Sequence, residues 1–259
     1  MATTKSEVSR PHVQSLERAF AVLEAFNIAP TLTVSQAATA ADLDRAAARR
    51  YLLTLESLGY LGSRDGHFFL RPRVLQLGYA YLSSLTLPQV AQPALDHLSS
   101  TTSESCSLTV LDGSEIAYIA VTNSPKNFAV RLTVGNRLPA YCTAMGRVLL
   151  SALEDSTIRE TLASSPPVAH TTHTVTKTAK LLSLIREAGE TGWCVVDQEL
   201  ENGVRSISVP VRKAGAVVAA MTVTTPAART PLSVLKTRVL GHLEQAAETV
   251  GQHLTPHSG

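Results

Sequence analysis

The sequence predicts an α+β protein of two domains: an N-terminal winged helix-turn-helix, then a linker helix and a C-terminal domain built on a mostly antiparallel sheet. Three observations carry the prediction. Helical patterns followed by the hairpin turn Asp65-Gly66 fill the first stretch, up to Arg71. A single apolar helical pattern, "RPRVLQLGYAYLSSL", follows. Beyond it, strand patterns such as "VRSISVPVRK" and "AVVAAMTVTTP" alternate with helices.

Composition bounds the reading. With 259 residues, 44% of them hydrophobic, the chain can bury a real core. A net charge of +2 is only mildly basic and neither demands nor excludes nucleic acid. The three cysteines, Cys106, Cys142 and Cys194, are odd in number and far apart. With no signal-peptide pattern, they point to a reduced, cytoplasmic protein. No apolar run approaches the ~20 residues of a membrane span, so no membrane partner is expected. Residues 1–11 and the tail from Thr255 are polar and expected to be disordered.

The N-terminal elements follow in order, with a domain expected over 12–71. Ser15 is a candidate N-cap, and Leu16, Phe20, Leu23 and Phe26 recur at helical spacing up to Pro30. Thr33 can cap a second, short helix carrying Val34, Ala37 and Ala38. After the turn "AADLD", Asp42 or Asp44 can cap a third helix that ends at Gly59. On a wheel of about 100° per residue, Ala47, Ala48, Tyr51, Leu52, Leu55 and Leu58 share one arc. Arg45, Ala46, Arg49, Arg50 and Leu53 face away from it.

An arginine-rich amphipathic helix alone usually marks a solvated face. Here it sits inside three helices, a tight turn and a hairpin, the order of a winged helix-turn-helix. Guanidinium groups can reach guanine edges and phosphates in a major groove, and small residues allow close approach. Thr33, Ser35, Arg45, Ala46, Arg49 and Arg50, with Arg64 and His67 on the wing, are the expected contacts to double-stranded operator DNA.

A linker helix is expected over 72–87, with Pro72 in its first turn, and a second domain over 88–255. That domain opens with a helix from Pro88 to Thr101, followed by a hairpin around Asp112-Gly113. "FAVRLTVG" reads as a strand, "TAMGRVLLSAL" as a helix capped by Thr143, and "TAKLLSLIREAGETG" as a helix stopped by glycine. Three strands beginning at "WCVVDQ" and a closing helix from Leu232 to His253 complete it.

These segments resemble the IclR family of bacterial transcriptional regulators over nearly the whole chain. The matching stretches are "SLERAFAVLEAF" with the winged module, "VGNRLPAYCTAMGRVLLSAL", and "GWCVVDQELENGVRSISVPVRKAGAVVAAMTVTTP". The resemblance implies a GAF-like effector-binding domain and a homodimer or homotetramer. "RLPAYCTAMGRVLL" and "DQELENGVRSISVPV" are similar to the subgroup that controls aromatic-acid catabolism by the protocatechuate and β-ketoadipate route. The implied effector is 4-hydroxybenzoate or a related aromatic or organic acid, with β-ketoadipate as the alternative. Many family members carry Cys where this chain has Ser206, which points away from a short-chain oxoacid.

A carboxylate effector needs donors. The amides of Thr143, Ala144, Met145 and Gly146, where a loop enters a helix, are one set. Asp197, Glu199, Ser206, Ser208, Thr222 and Thr224 are the candidate polar side chains, and Tyr141, Leu132, Ile207 and Met221 the candidate walls. Asp197 and Glu199 are awkward neighbours for an anion. Arg131, Arg137 and Arg147 are alternative anion partners. Ligand binding is expected to act through the helix around Tyr79 on the spacing of paired winged modules.

The rival class is a cysteine-dependent enzyme. Cys142 precedes a helix start, which can lower a thiol pKa, and His97, His170 or His173 could serve as base. "HTTH" lies in a Thr-rich loop without a third ligand at supportive spacing. No GxSxG, Walker or GxGxxG motif is present. The expectation is therefore a non-enzyme with no cofactor and no metal.

Overall fold

In the computed structural model, residues 13–78, 86–126 and 132–254 are described. The expected disordered ends, the coupling position Tyr79 and Arg131 lie outside them. The chain divides into two compact units, Met1–Ser84 and Leu85–Gly259. Of the expected linker helix, Pro72–Val74 is a 3-10 turn with proline at its start, and 75–78 continue as helix.

The first unit runs α1 (Gln14–Glu24), a 3-10 turn (Ala25–Asn27), β1 (Thr31–Thr33), α2 (Val34–Ala40), α3 (Arg45–Ser57), β2 (Leu61–Arg64) and β3 (His67–Leu70). Its three-stranded sheet has the order β1-β3-β2. β1 is not legible beforehand, because three residues carry no alternation; pairing of Thr31 with Phe69 and Thr33 with His67 makes it a strand. Thr33 then turns the chain into α2 through a capping box: its hydroxyl accepts from the Gln36 amide at 3.3 Å, and Gln36 Oε1 accepts from the Thr33 amide at 2.9 Å. Asp44, not Asp42, caps α3, accepting from the Ala47 amide at 2.8 Å. Asp42 instead sits in the turn at φ 51°. Val13, not Ser15, occupies the N-cap position of α1 and makes no side-chain cap.

Val22, Phe26, Leu32, Ala37, Leu52, Leu55, Leu61 and Phe68 form the core of this unit. Three residues expected on core faces are exposed instead: Leu16 at 57%, Phe20 at 51% and Leu58 at 51%. Leu58 is the C-cap residue, one step past the last helical position of α3. Leu16 and Phe20 lie about 120–160° around α1 from the fully buried Val22. The inward face of α1 is thus set by Val22 and the turn after it.

The second unit opens with α4 (Thr86–Thr102), β4 (Ser105–Asp112), β5 (Glu115–Thr122) and β6 (Arg137–Pro139). It continues with α5 (Ala144–Leu150), α6 (Asp155–Ser164), α7 (Thr178–Thr191), β7 (Cys194–Asp197), β8 (Val204–Lys213) and β9 (Ala216–Pro226). A closing helix starts at Leu232, loosens into a π turn over Leu235–Val239 and ends as α8 (Leu240–Leu254). The six strands form one antiparallel sheet of order β6-β5-β4-β9-β8-β7. The strand expected in "FAVRLTVG" differs: its described part, 132–135, holds a turn, and the strand is the shorter β6 that follows. α6 was not foreseen; it buries only Ile158 and Leu162.

Helices cover both faces of the sheet. Leu108, Ile207, Val209, Met221 and Val223 pack on α4 and α8. Tyr118, Val196 and Ala220 face the other way, onto α5 and α7 through Met145, Val148, Leu181 and Ile185.

Candidate functional site

The residues that the sequence singles out gather at two places, one in each unit. On the first unit, Arg45, Ala46, Arg49 and Arg50 are all exposed along α3, with Leu53 at 39% beside them. The wing turn Asp65-Gly66 has φ of 51° and 76°, the left-handed pair that favours Gly in a two-residue hairpin. It presents Arg64 and His67 to solvent. Register sets Thr33, His67 and Arg64 side by side across the three strands. Among the described residues no ion pair engages Arg45, Arg49, Arg50 or Arg64. Ser35 is exposed on α2. Thr33 differs from the others, because its hydroxyl also donates to Gln36 Oε1 at 3.0 Å and is committed to the cap.

The second site is a cavity of about 250 Å³ in the second unit, between the sheet and α5. Of the predicted residues, Thr143, Met145, Glu199, Ser206, Thr224 and Leu132 line it. The others do not, each for a visible reason. Ile207 and Met221 point to the opposite face of the sheet, into the core under α4 and α8. Ser208 and Thr222 do share the cavity-side face with Ser206 and Thr224, but they bond each other: Thr222 donates to Ser208 at 2.8 Å and Ser208 donates to the Met221 carbonyl at 3.0 Å. Tyr141 donates to the Val168 carbonyl at 2.7 Å and stacks on His170, tying down that loop.

Of the expected cradle of four amides, two are bonded within the protein. The Gly146 amide donates to the Thr143 hydroxyl at 3.2 Å, and the Thr143 amide to the Ala140 carbonyl. Ala144 and Gly146 themselves do not reach the cavity wall. A Cβ on Gly146 would meet the Ala140 carbonyl oxygen at 2.1 Å, so only glycine lets α5 pack against the preceding turn.

Both carboxylates that looked awkward are neutralised. Arg147, 2% exposed, grips Glu199 with two bonds of 2.7 Å, and the Val175 amide adds a third at 3.0 Å. Arg205 holds Asp197 the same way, at 2.8 Å twice, and this guanidinium lowers the Asp197 pKa. Asp197 is therefore a partner of Arg205 and lies outside the cavity lining. Arg147 is likewise no free anion partner, and Arg137 bonds Asp112 and Glu115 at the surface.

The cavity contains residues that sequence reasoning passed over. Tyr118, Asn136 and Leu138 come from β5 and the turn and strand beside it, and Leu200, Glu201 and Val204 from the β7–β8 loop and the start of β8. Val196 and Cys142 complete the lining. Their separation in the chain hides them, because only sheet order brings β5 and β8 to one hollow. Tyr118 is 4% exposed and its hydroxyl has no hydrogen-bond partner among the described residues.

The enzyme reading meets a physical obstacle. Burial pushes the Cys142 thiol up to about 11, so it stays protonated at neutral pH and is no nucleophile. His170 is occupied by Tyr141 at 2.9 Å. Among the described residues no cluster of three His, Cys, Asp or Glu could hold a metal ion, and no helix is long and apolar enough to cross a membrane.

Comparison with known proteins decides the family. The IclR helix-turn-helix domain matches residues 15–65, and the bacterial transcriptional regulator IclR C-terminal domain matches 79–252. The chain belongs to the IclR family. Its IclR relatives include the Pca regulon regulatory protein of Pseudomonas putida, 43% identical over 93% of this chain and 84% of that protein. The p-hydroxybenzoate hydroxylase transcriptional activator of Acinetobacter baylyi is 37% identical over 81% of this chain and 80% of its own. Among solved structures, an IclR homolog from Microbacterium hydrocarbonoxydans complexed with 4-hydroxybenzoate superposes with a TM-score of 0.80 at 26% identity, covering 93% of this chain and 98% of that one. As an IclR protein the chain is a transcriptional regulator with a helix-turn-helix DNA-binding domain, and not an enzyme.

Proposed function

We propose that this IclR regulator controls an operon for aromatic-acid breakdown and takes 4-hydroxybenzoate, or a closely related hydroxylated benzoate, in the cavity beside α5. The observation that carries the reading is the cavity itself. Its volume of about 250 Å³ falls below the ~300–1,000 Å³ of pockets for drug-sized ligands and suits a single ring. Leu132, Leu138, Met145, Val196 and Leu200 supply apolar walls, and Tyr118, Thr143, Ser206 and Thr224 supply hydroxyl groups. The named roles of the Pseudomonas and Acinetobacter relatives, and the bound 4-hydroxybenzoate of the Microbacterium homolog, support the same ligand class.

In this reading α3 enters the major groove of operator DNA and the wing follows the adjacent backbone. Arg45, Arg49, Arg50 and Arg64 contribute the contacts, with Ser35, Ala46 and His67 allowing or completing them. The regulator works in the cytoplasm as a homodimer or homotetramer, matching paired half-sites. Calorimetric titration of the full chain with 4-hydroxybenzoate, protocatechuate and β-ketoadipate tests the effector. Saturable binding of a hydroxylated benzoate, recovered chemically intact, is the expected result. Preference for β-ketoadipate would move the regulator to a later step, and no binding by any of the three would remove the aromatic-acid assignment.

A further inference from the structure

We infer that Tyr118 is the residue that grips the effector's carboxylate, and that the effector lies with its second polar group toward Ser206 and Thr224. The inference rests on the proposed aromatic-acid reading of the cavity and adds the orientation and the gripping residue.

The first observation is the state of Tyr118. It is 4% exposed, lines the cavity, and its hydroxyl has no partner among the described residues. Several other buried hydroxyls of this unit are bonded within the protein, among them Tyr141, Thr143, Thr222 and Ser208, while Ser107 has no partner among the described residues and does not line the cavity. The Tyr118 hydroxyl is not among the buried unpartnered atoms, so it opens on the cavity, where a ligand can complete its hydrogen bond. Burial also raises the Tyr118 pKa, so at neutral pH it is a phenol with one proton to donate. Its natural complement is an acceptor, and a carboxylate is the strongest small-molecule acceptor.

The second observation is the distribution of charge. Tyr118 pairs with Thr109, whose other neighbour is Ala220 on β9. Ser206 pairs with Thr224, four positions further along β9, or roughly 13 Å at strand rise. Tyr118 and Ser206 thus line the cavity from different strands and at different levels of the sheet, with Leu132, Leu138, Met145 and Val196 among its apolar walls. Glu199 and Glu201 belong to the β7–β8 loop, which springs from the Ser206 end of the sheet. Glu201 is exposed and makes no ion pair among the described residues. With Glu199 neutralised by Arg147, it is the Glu201 carboxylate that repels an anionic ligand end there, whereas a ring hydroxyl can donate to it or exchange bonds with Ser206. The carboxylate is directed to the Tyr118 end.

The test is calorimetry on the full-length protein and on Tyr118→Phe and Ser206→Ala, each with 4-hydroxybenzoate and with benzoate. Thermal unfolding without ligand is measured in parallel. Tyr118→Phe should bind 4-hydroxybenzoate about 10- to 100-fold more weakly, the range of one hydrogen bond to a charged group. It should keep the wild-type preference for 4-hydroxybenzoate over benzoate, because both ligands lose the same contact. Its ligand-free Tm should be no lower than wild type, since no bond within the protein is removed. Ser206→Ala should narrow the preference between the two ligands. Unchanged affinity in Tyr118→Phe, or loss of the preference in that variant, overturns the inference while leaving the aromatic-acid reading standing. Wild-type protein that binds no hydroxylated benzoate, protocatechuate included, overturns the reading itself, and the inference with it.

Discussion

Two sets of arginines, one in each unit, have opposite circumstances. In the second unit Arg147 and Arg205 are buried, bidentate and bound to Glu199 and Asp197. In the first unit Arg45, Arg49, Arg50 and Arg64 are exposed and engage no carboxylate among the described residues. The whole formal excess of two positive charges falls in the first unit, before Leu85. One residue type thus does two jobs. Where the guanidinium is enclosed it fixes a loop and cancels a carboxylate; where it is left open, in the proposed reading, it keeps its charge for a polyanion.

The largest effect expected from this contrast is on stability. Arg147→Ala leaves Glu199 buried without its partner and should destabilise the second unit by about 3–5 kcal/mol in urea denaturation. Replacing both members with apolar residues of similar volume should recover most of that loss. A small loss from Arg147→Ala would mean that the pair is not what holds the β7–β8 loop.

The same substitution on the first unit should reverse the pattern. Arg49→Ala or Arg50→Ala should leave the Tm almost unchanged, within about 0.5 kcal/mol of stability. Each should weaken operator binding by about 1–3 kcal/mol where the arginine reads a base. Fluorescence anisotropy on a selected duplex gives the number, and equal binding by wild type and both variants would place the DNA contacts elsewhere.

Acid sharpens the comparison further. Arg205 lowers the Asp197 pKa in the folded state. That stabilisation is present above the unfolded aspartate pKa and is lost as pH falls through the lower folded value. Asp197→Asn should therefore flatten the acid side of a Tm-against-pH curve, below the usual aspartate range. Variants at Arg49 should leave that curve unaltered.

The smallest effect concerns Ser107, fully buried with no partner for its hydroxyl among the described residues. Ser107→Ala should be neutral or stabilising by up to about 1 kcal/mol in thermal unfolding. A clear loss would show that the hydroxyl is bonded, for instance to a buried water.

The sequence made the first unit more legible than the cavity, and the reason is physical. The α3 face and the wing are local: the arginine spacing, the Asp44 cap and the Asp65-Gly66 turn all act within a few residues. β1 escaped because it exists only through its pairing with β3. The cavity is non-local. Alternation correctly set Ser206 with Ser208 and Thr222 with Thr224 on one face, but it could not tell that Thr222 and Ser208 bond each other. Ile207 and Met221 were assigned to the wrong face of the sheet, since both faces are covered and neither reads as polar. Tyr118 carried no signal at all until sheet order brought β5 to the same hollow as β8.

The measurement that bears most directly on the contrast between the two arginine sets is the salt dependence of duplex DNA binding by full-length protein. It would compare wild type, the triple variant Arg45→Ala, Arg49→Ala, Arg50→Ala, and the surface control Arg137→Ala. A slope of log affinity against log salt that shrinks by about 0.9 for each phosphate-contacting arginine removed in the triple variant, and stays unchanged in the control, is the predicted result. Equal slopes in all three proteins would contradict the assignment of the open arginines to DNA.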